Sequence, residues 1–318
     1  MVVRSFCDGR STRGAARRAG RPAPAAWDRG QVSRPTVLGL ARCLALMLLA
    51  AVPAGAVPAI EVWPRAPRVG EVVFVTLRPD RPLLRASCSW AGRSYSFLTE
   101  GEAWSLVLPV SLKTRAGDHH ATIYWKYGDG GGSSARVQVE VKPRRFGVQR
   151  LRLTASQQRC YTAPEAEREY QLIGTALDRV TLERRWRGAF LMPVQGRLST
   201  SYGLQRYVNG KLSSRHRGVD IAAPEGTPVR AAAAGEVSLA NPSFLLHGQT
   251  VVIDHGHGVS TLYLHLSEIA VAPGQAVEQG QVIGKVGATG VATGPHLHYA
   301  IYAYHEAVDP HFWTRLPR

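Results

Sequence analysis

Cysteine is scarce in this chain, with four in 318 residues and no pair spaced as C-x-x-C. We therefore do not expect a zinc site built on paired cysteines. The motif H-E-x-x-H is also missing, which excludes a metallopeptidase whose base is the glutamate of that motif. Glycine is plentiful, but no G-x-G-x-x-G lies between a strand and a helix. A nucleotide-binding domain of that type is therefore not expected.

Lysine is rare too, with only five residues, so arginine carries most of the positive charge. The formal net charge is +16, and nine arginines and two aspartates in the first 56 residues contribute +7 of it. The remaining +9 would attract a polyanion such as a cell-wall polymer, an anionic membrane or nucleic acid. A basic protein without any such partner fits the charge equally well. We expect no nucleic-acid partner.

The amino-terminal region has the features of an export signal. An apolar run, Cys43–Val52, follows Arg42 and precedes the small residues Ala54–Ala56. This order is typical of a signal peptide with its cleavage site. The run is shorter than the roughly 20 apolar residues of a membrane-spanning helix, although an uncleaved segment would act as a membrane tether. Because the part before the run is long, we expect the true start near Val32.

Cleavage after Ala56 leaves two cysteines, Cys88 and Cys160. In an oxidising compartment they could form a disulfide. Two free thiols are the other possibility, and the sequence does not decide between them.

Residues 57–142 show short runs of β-forming residues separated by turns. The run 135–141 alternates strictly between apolar and polar residues, as a half-buried strand does. A glycine-rich stretch, 128–132, precedes it as a hairpin turn would. Further predicted strands are 71–77, 103–108 and 121–125. Several short strands in so few residues predict an immunoglobulin-like β-sandwich.

The rest of the chain divides into a connector and a second β-rich part. Residues 143–188 form the connector, in which Pro164–Arg187 is rich in Glu, Arg, Leu and Ala and is predicted to be a helix packed between the domains. Residues 189–318 return to a Gly-, His- and Val-rich pattern. With residues 1–56 as leader and signal peptide and 57–142 as sandwich, the chain is predicted to be mainly β.

Nine of the eleven histidines follow residue 215. They occur in three informative stretches, His216-Arg-Gly-Val-Asp220, Leu262-Tyr-Leu-His-Leu266 and Gly294-Pro-His-Leu-His-Tyr299. Residues two apart on a strand project from the same face, so His296 and His298 are expected to point into one space. Two imidazoles and a carboxylate suit zinc and leave a fourth position for water, whose pKa the metal would lower to about 7. Further histidines nearby could transfer protons.

Residues 190–312 resemble the lysostaphin- and LytM-type zinc endopeptidases of peptidoglycan. Beside the three stretches above, the resemblance rests on shorter matches, namely Tyr202-Gly203, Asn209-Gly210, Gly226-Thr-Pro-Val229, Val252-Ile-Asp-His-Gly256, Thr289-Gly290 and Val308-Asp309-Pro310. It implies that His216, Asp220 and His298 bind one Zn²⁺ per chain. It also implies that His265 and His296 are catalytic.

The resemblance implies a metalloendopeptidase with an antiparallel β-sheet and an open groove, which hydrolyses peptide cross-links of peptidoglycan. Its partners would be stem peptides and their cross-links. Its location would be the periplasm or cell envelope, or the medium after secretion. The alternative is a non-catalytic LytM-like regulator that activates other wall hydrolases, for which a missing ligand is expected. A third possibility is a wall-binding module in which the sandwich does the work.

Six other histidines and one tyrosine are expected to have structural roles. His119 and His120 are expected on the surface, and His255 in a turn or beside the metal site. We expect His247, His305 and His311 at the surface or groove rim. Tyr263 suits the groove and the core equally well.

Overall fold

The computed structural model describes residues 57–317, and the expected leader and signal peptide lie outside them. Strands dominate this part of the chain, which confirms the mainly β prediction. Among residues 57–317 no helix has the length and apolar character needed to cross a membrane.

Residues 59–141 form two four-stranded antiparallel sheets that enclose a core. The strands are β1 (Ala59–Trp63), β2 (Val72–Arg78), β3 (Leu83–Trp90), β4 (Arg93–Ser96), β5 (Leu98–Glu100), β6 (Ala103–Pro109), β7 (Gly117–Tyr127) and β8 (Gly132–Val141). One sheet has the order β1-β2-β6-β5 and the other β4-β3-β7-β8. Trp90, Leu108 and Ile123 are fully buried between them. The order agrees with an immunoglobulin-like arrangement, and that designation stays a prediction.

All four strands predicted in this part are present. The glycine-rich stretch 128–132 lies between β7 and β8 and forms their hairpin turn, in which Gly130 has φ +95°. Glycine adopts this left-handed conformation without the steric cost that a side chain would bring. In β8 the side chains of Val139 and Val141 are buried while that of Glu140 is exposed, as the alternating sequence predicted.

Cys88 and Cys160 are both free thiols, which settles the question left open by the sequence. Cys88 is buried in the sandwich core, and burial raises the pKa of its thiol to about 12. The thiolate is therefore not formed at neutral pH, and Cys88 behaves as a small apolar core residue.

The connector contains one strand and two helices. They are β9 (Val148–Leu151), α1 (Ala155–Thr162) and α2 (Pro164–Leu177). The short helix α1 was not predicted from the sequence. Its start is fixed by a capping box, in which Thr154 and Gln157 satisfy each other's backbone N–H groups.

The prediction of a helix through Arg187 was wrong, because α2 ends at Leu177 with Asp178 as its C-cap. Beyond that point the chain forms no helix or strand before Arg197, and it lies against the large sheet of the carboxy-terminal part. The backbone N–H of Arg185 donates to the carbonyl of His255 at 2.9 Å. Side chains of Arg179 and Arg185 also pair with Glu236, at 2.8 and 3.0 Å. These bonds to the sheet replace the hydrogen bonds that a longer helix would have made.

The carboxy-terminal part is built on a large antiparallel sheet. Its elements are β10 (Arg197–Thr200), β13 (Val219–Ala222), β14 (Pro228–Arg230), β15 (Gly235–Phe244), β16 (Gly248–Gly256), β17 (Val259–Ile269), β18 (Ala276–Val277), β19 (Val282–Val286), β20 (His296–Ala303), β21 (Glu306–Val308) and the helical turn α3 (Pro310–Trp313). The main order is β10-β13-β20-β17-β16-β15-β18. Two further strands, β11 (Gln205–Val208) and β12 (Lys211–Arg215), form a separate small sheet with β9.

The sandwich and the large sheet share a continuous apolar contact. Phe74 on β2 packs against Trp63, Trp186, Phe312 and Trp313, with ring centroids 5.8–6.4 Å apart. A single buried cluster includes sandwich valines together with the core of the sheet. Contact between the two parts therefore contributes to stability through burial of apolar area.

Candidate metal centre

Strand pairing brings the predicted metal-binding residues together. Asp220 on β13 lies directly opposite His298 on β20. His216 precedes β13 by three residues, and its backbone N–H donates to the carbonyl of Leu204 at 2.8 Å. Because the two strands are neighbours, residues 78 positions apart in sequence become adjacent in space. The side chains of all three predicted ligands are buried.

Three potential ligand atoms of these residues meet at one point. Asp220 Oδ1 is 3.0 Å from His216 Nε2 and 2.7 Å from His298 Nδ1, and the two ring nitrogens are 3.0 Å apart. Among residues 57–317 this is a group whose geometry could hold a metal ion. A tetrahedral ion with bonds of about 2.0–2.1 Å needs its ligand atoms roughly 3.3 Å apart. Shifts of a few tenths of an ångström would therefore accommodate it.

The hydrogen bonds of His216 determine which of its nitrogens is available. Its Nδ1 lies 2.9 Å from the carbonyl oxygen of Ser201, which can only accept, so Nδ1 carries the proton. Nε2 therefore presents a lone pair to Asp220 and His298. Three acceptor atoms converge, and one shared proton cannot satisfy them all. The donor set thus fits a cation, which would bind every lone pair at once.

Asp220 remains a carboxylate in this environment. Burial raises its pKa, but the close contacts with the imidazoles of His298 and His216 lower it by more, and the net pKa is well below the usual range. Its second oxygen, Oδ2, accepts from Arg206 Nη2 at 3.3 Å. Arg206 in turn donates to Gln149 on β9 at 2.8 Å. The connector therefore helps to orient the carboxylate.

His298 is held neutral. Burial lowers the pKa of its imidazole to about 4, although the carboxylate of Asp220 acts in the opposite direction. A neutral ring offers an unprotonated nitrogen at physiological pH, and a metal ligand requires one.

His265 and His296 lie beside this cluster, with ring centroids 4.9 Å apart. His265 Nδ1 donates to the carbonyl of Thr289 at 2.9 Å, and His296 Nδ1 to that of Gly294 at 2.8 Å. Both rings therefore keep Nε2 as the basic nitrogen. Burial, together with the neighbouring imidazoles of His296 and His298, lowers the pKa of His265 to about 3.

His265 also has an unusual backbone, with φ +64° inside β17. Residues other than glycine rarely adopt this conformation, and it persists only where the surroundings impose it. The pairing of β17 with both β16 and β19 changes register close to this position. The irregularity turns the main chain locally and is of the kind found beside functional sites.

The five predicted site residues line one cavity of about 740 Å³. One wall comes from the large sheet and the loop 291–296. The connector supplies other parts of the wall, including Tyr161 of α1 and Tyr170 and Ile173 of α2. The connector was predicted to pack between the domains, and its position beside the site could not be read from its sequence.

The other residues singled out in the sequence take structural positions. His255 is fully buried, with Nδ1 bound to the Ala234 carbonyl at 2.7 Å and Nε2 to Thr261 at 2.8 Å, so it belongs to the core. Tyr263 is also fully buried and its hydroxyl accepts from the N–H of Ala232 at 2.9 Å. Of the two positions expected for Tyr263, the groove and the core, the structure shows the core.

Five further histidines are more exposed than His255. His120 is on the surface, His305 is exposed and lines the cavity, and His119 is half-buried against Trp90. His311 is half-buried near the carboxyl terminus. His247 lines the cavity, as its rim assignment predicted, and its Nδ1 is 2.8 Å from Glu169.

Sequence reasoning missed Arg206, Gln149 and Glu169. Arg206 lies between two recognised motifs, and no local pattern marks it. Gln149 and Glu169 belong to the connector, and no motif in its sequence marks them. Their contacts depend on how the connector folds back onto the sheet.

Comparison with known proteins identifies the carboxy-terminal part. Residues 214–310 match the model of peptidase family M23. A DD-carboxypeptidase/endopeptidase Mpg of Neisseria meningitidis serogroup B is 43% identical over 117 residues, which cover 37% of this chain and 27% of the relative. The peptidoglycan DD-endopeptidase ShyA of Vibrio cholerae is 49% identical over 86 residues, covering 27% of this chain and 20% of the relative. The chain thus spans about a quarter of the length of the curated relatives it matches.

Among solved structures, a crystal structure of a peptidase M23 from Pseudomonas aeruginosa is similar over a larger part of the chain. The identity is 28%, the TM-score is 0.58, and the match covers 80% of this chain and 96% of that one. The likeness therefore extends beyond the carboxy-terminal sheet. Residues 214–310 of this chain therefore form a domain of peptidase family M23.

Proposed function

We propose that this protein is a zinc-dependent endopeptidase that hydrolyses the peptide cross-links of bacterial peptidoglycan. The observation that carries the proposal is the convergence of His216 Nε2, Asp220 Oδ1 and His298 Nδ1 within 3.0 Å of one another. Two further imidazoles, those of His265 and His296, lie beside them. This combination supports hydrolysis rather than a purely structural metal site, because a structural site is usually closed by a fourth protein ligand.

When bound, zinc would act as a Lewis acid and lower the pKa of a coordinated water. The three ligands would fix the ion, and Arg206 would hold the free oxygen of Asp220. The donor set of two imidazoles and one carboxylate is typical of zinc sites that keep an open position. The chemistry of these donor atoms supports the proposed roles of the three ligands in binding zinc.

His265 and His296 would move protons and orient the substrate. Each has its Nδ1–H fixed by a backbone carbonyl, so Nε2 is the atom able to take a proton from water and return it to the leaving amine. Burial and the nearby imidazoles keep His265 neutral, and a neutral ring can accept a proton. Once one of these two imidazoles has taken up the proton, its positive charge would stabilise negative charge developing on the scissile carbonyl.

The proposed substrate is a cross-linked stem peptide. Support comes from the relatives, since ShyA is named a peptidoglycan DD-endopeptidase and Mpg a DD-carboxypeptidase/endopeptidase. A cavity of about 740 Å³ is large enough to bury several residues of a peptide. These names favour cleavage of a DD bond in the cross-link.

We propose that the protein works outside the cytoplasmic membrane, in the periplasm or cell envelope. Peptidoglycan is located there, and the basic residue, apolar run and small residues before Val57 have the order of an export signal. An uncleaved signal would tether the protein to the membrane.

The experiment is digestion of purified wall, followed by mass spectrometry of the muropeptides. We expect the wild type to convert cross-linked dimers to monomers. His298→Ala should lose zinc and activity together, whereas His265→Ala should retain zinc and lose most turnover. His120→Ala, a change on the exposed surface of the sandwich and outside the cavity, serves as the control. Wild-type rates in both site variants would refute the proposal.

The same purified protein distinguishes the alternative of a non-catalytic regulator. That function predicts a folded protein that binds no zinc at any neutral pH. Support for the enzyme comes from the complete set of ligands and both imidazoles, since loss of one of them is expected in a regulator.

A further inference from the structure

Glu169 is a buried carboxylate that the proposed mechanism does not use. It lies on α2, in the connector, and is 3% exposed. It accepts hydrogen bonds from three consecutive backbone N–H groups in the turn between β15 and β16. The donors are Leu245, Leu246 at 3.1 Å and His247 at 3.1 Å, and the Nδ1 of His247 adds a fourth at 2.8 Å.

Consecutive backbone N–H groups that point the same way form a concavity that binds anions. In this molecule the anion is supplied by the connector. A buried carboxylate is stable only with such donors, and buried donors left without an acceptor would be costly in turn. Glu169 therefore determines the conformation of the turn 245–247.

This turn holds the main chain of His265. The carbonyl of His247 accepts from the N–H of His265 at 3.2 Å. The carbonyl of Leu246 accepts from the N–H of Val291 at 2.9 Å, which fixes the loop that follows Thr289. Thr289 is the residue whose carbonyl orients the His265 ring. The turn 245–247, which binds the backbone of His265, is therefore hydrogen-bonded to the loop after Thr289, whose carbonyl orients the His265 ring.

The turn 245–247 and the loop after Thr289 are also closely packed against each other. A Cβ on Gly248 would lie 2.5 Å from the carbonyl carbon and oxygen of Thr289. A Cβ on Gly290 would lie 2.6 Å from the carbonyl oxygen of Leu246. Close-packed segments transmit a displacement instead of absorbing it. A change in the turn therefore reaches His265, whose φ of +64° depends on its surroundings.

We propose that Glu169 is a positioning residue for the proposed catalytic residue His265, and that helix α2 thereby belongs to the catalytic apparatus. This inference rests on the proposed function, since it assumes that His265 takes part in turnover. It assigns a role to a segment outside residues 214–310, the part that matches the peptidase family.

The test compares Glu169→Gln with Glu165→Gln in the full chain. Glu165 is exposed in the first turn of the same helix and provides the matched control. A glutamine at 169 places an amide N–H₂ against the backbone donors. We expect kcat to fall at least about 10-fold, since misplacement by about 1 Å can cost up to about 100-fold. KM should change less than about 2-fold, and bound zinc should be unchanged. Glu165→Gln should match the wild type.

A double-mutant cycle separates positioning from general loss of structure. In the His265→Ala background, Glu169→Gln should lower the residual turnover less than about 2-fold. The same fold loss in both backgrounds, or no loss in the wild-type background, would overturn the proposal. Should the glutamine variant fail to fold, Glu169→Asp keeps the charge on a shorter side chain and is measured in the same way.

A second readout does not depend on activity. In zinc-loaded protein with labelled histidine, the ring resonances of His265 should shift in Glu169→Gln and stay in place in Glu165→Gln. Unmoved resonances would contradict the inference. A wild type without turnover would refute the proposed function, while a shift of these resonances would still support the positioning by Glu169.

Discussion

Zinc should stabilise this protein measurably, and the effect should require His216. The three converging acceptor atoms, 2.7–3.0 Å apart, have no donor between them other than a shared proton, so an ion gains all three lone pairs. A ligand that binds only the folded state stabilises it by about 2.7 kcal/mol at a free concentration 100 times its Kd. For a folded part of this size, 1 kcal/mol raises Tm by roughly 2 °C. The expected rise is therefore about 5 °C.

The assay is thermal unfolding of metal-stripped protein at increasing free zinc, followed by near-UV circular dichroism. Wild type should show the rise of about 5 °C, and His120→Ala, with its ring exposed on the sandwich, should show the same increment. His216→Ala removes one ligand and should lose nearly all of the zinc-dependent increment, whatever its Tm without metal. The reasoning is refuted if His216→Ala and wild type respond equally, or if zinc leaves the wild type unchanged.

Two further predictions concern stability. Burial lowers the pKa of His255 from 6.5 to about 4, so the unfolded chain binds more protons between these values and stability falls as pH drops through them, by roughly 3 kcal/mol in total. Denaturant unfolding between pH 7.5 and 4.5 should show this loss of stability as the pH falls. Because burial also lowers the pKa values of His265 and His298, His255→Gln should make the slope shallower without removing it, and the same slope in both proteins would contradict the assignment. Gly248→Ala should destabilise by roughly 2–5 kcal/mol, because its Cβ would meet Thr289 at 2.5 Å and its φ is +65°. Gly226→Ala, with φ +84° and open space, should cost only about 1 kcal/mol; similar losses in both would show that contact with Thr289 is unimportant.

Much of the fold followed from local patterns in the sequence. Alternation of apolar and polar residues located strands such as β8, and the glycines between β7 and β8 marked their hairpin. Helix α2 was found, but its end was not, because Glu and Arg continue beyond Leu177 with good helix propensity. Contacts with Glu236 and His255, distant in sequence, override that propensity.

For the candidate site, the sequence by itself determined which kinds of side chain are present, namely imidazoles and a carboxylate. The spacing of His216 and Asp220, and of His296 and His298, predicted imidazoles and a carboxylate that meet in one cavity, and the resemblance to zinc endopeptidases divided them into ligands and catalytic residues. Only the tertiary structure decided what surrounds them, because hydrogen bonds such as Arg206 to Asp220 and Glu169 to the 245–247 turn join segments without a shared periodicity. Side-chain spacing along one strand is encoded locally, whereas contacts between strands and the connector arise only when the chain packs.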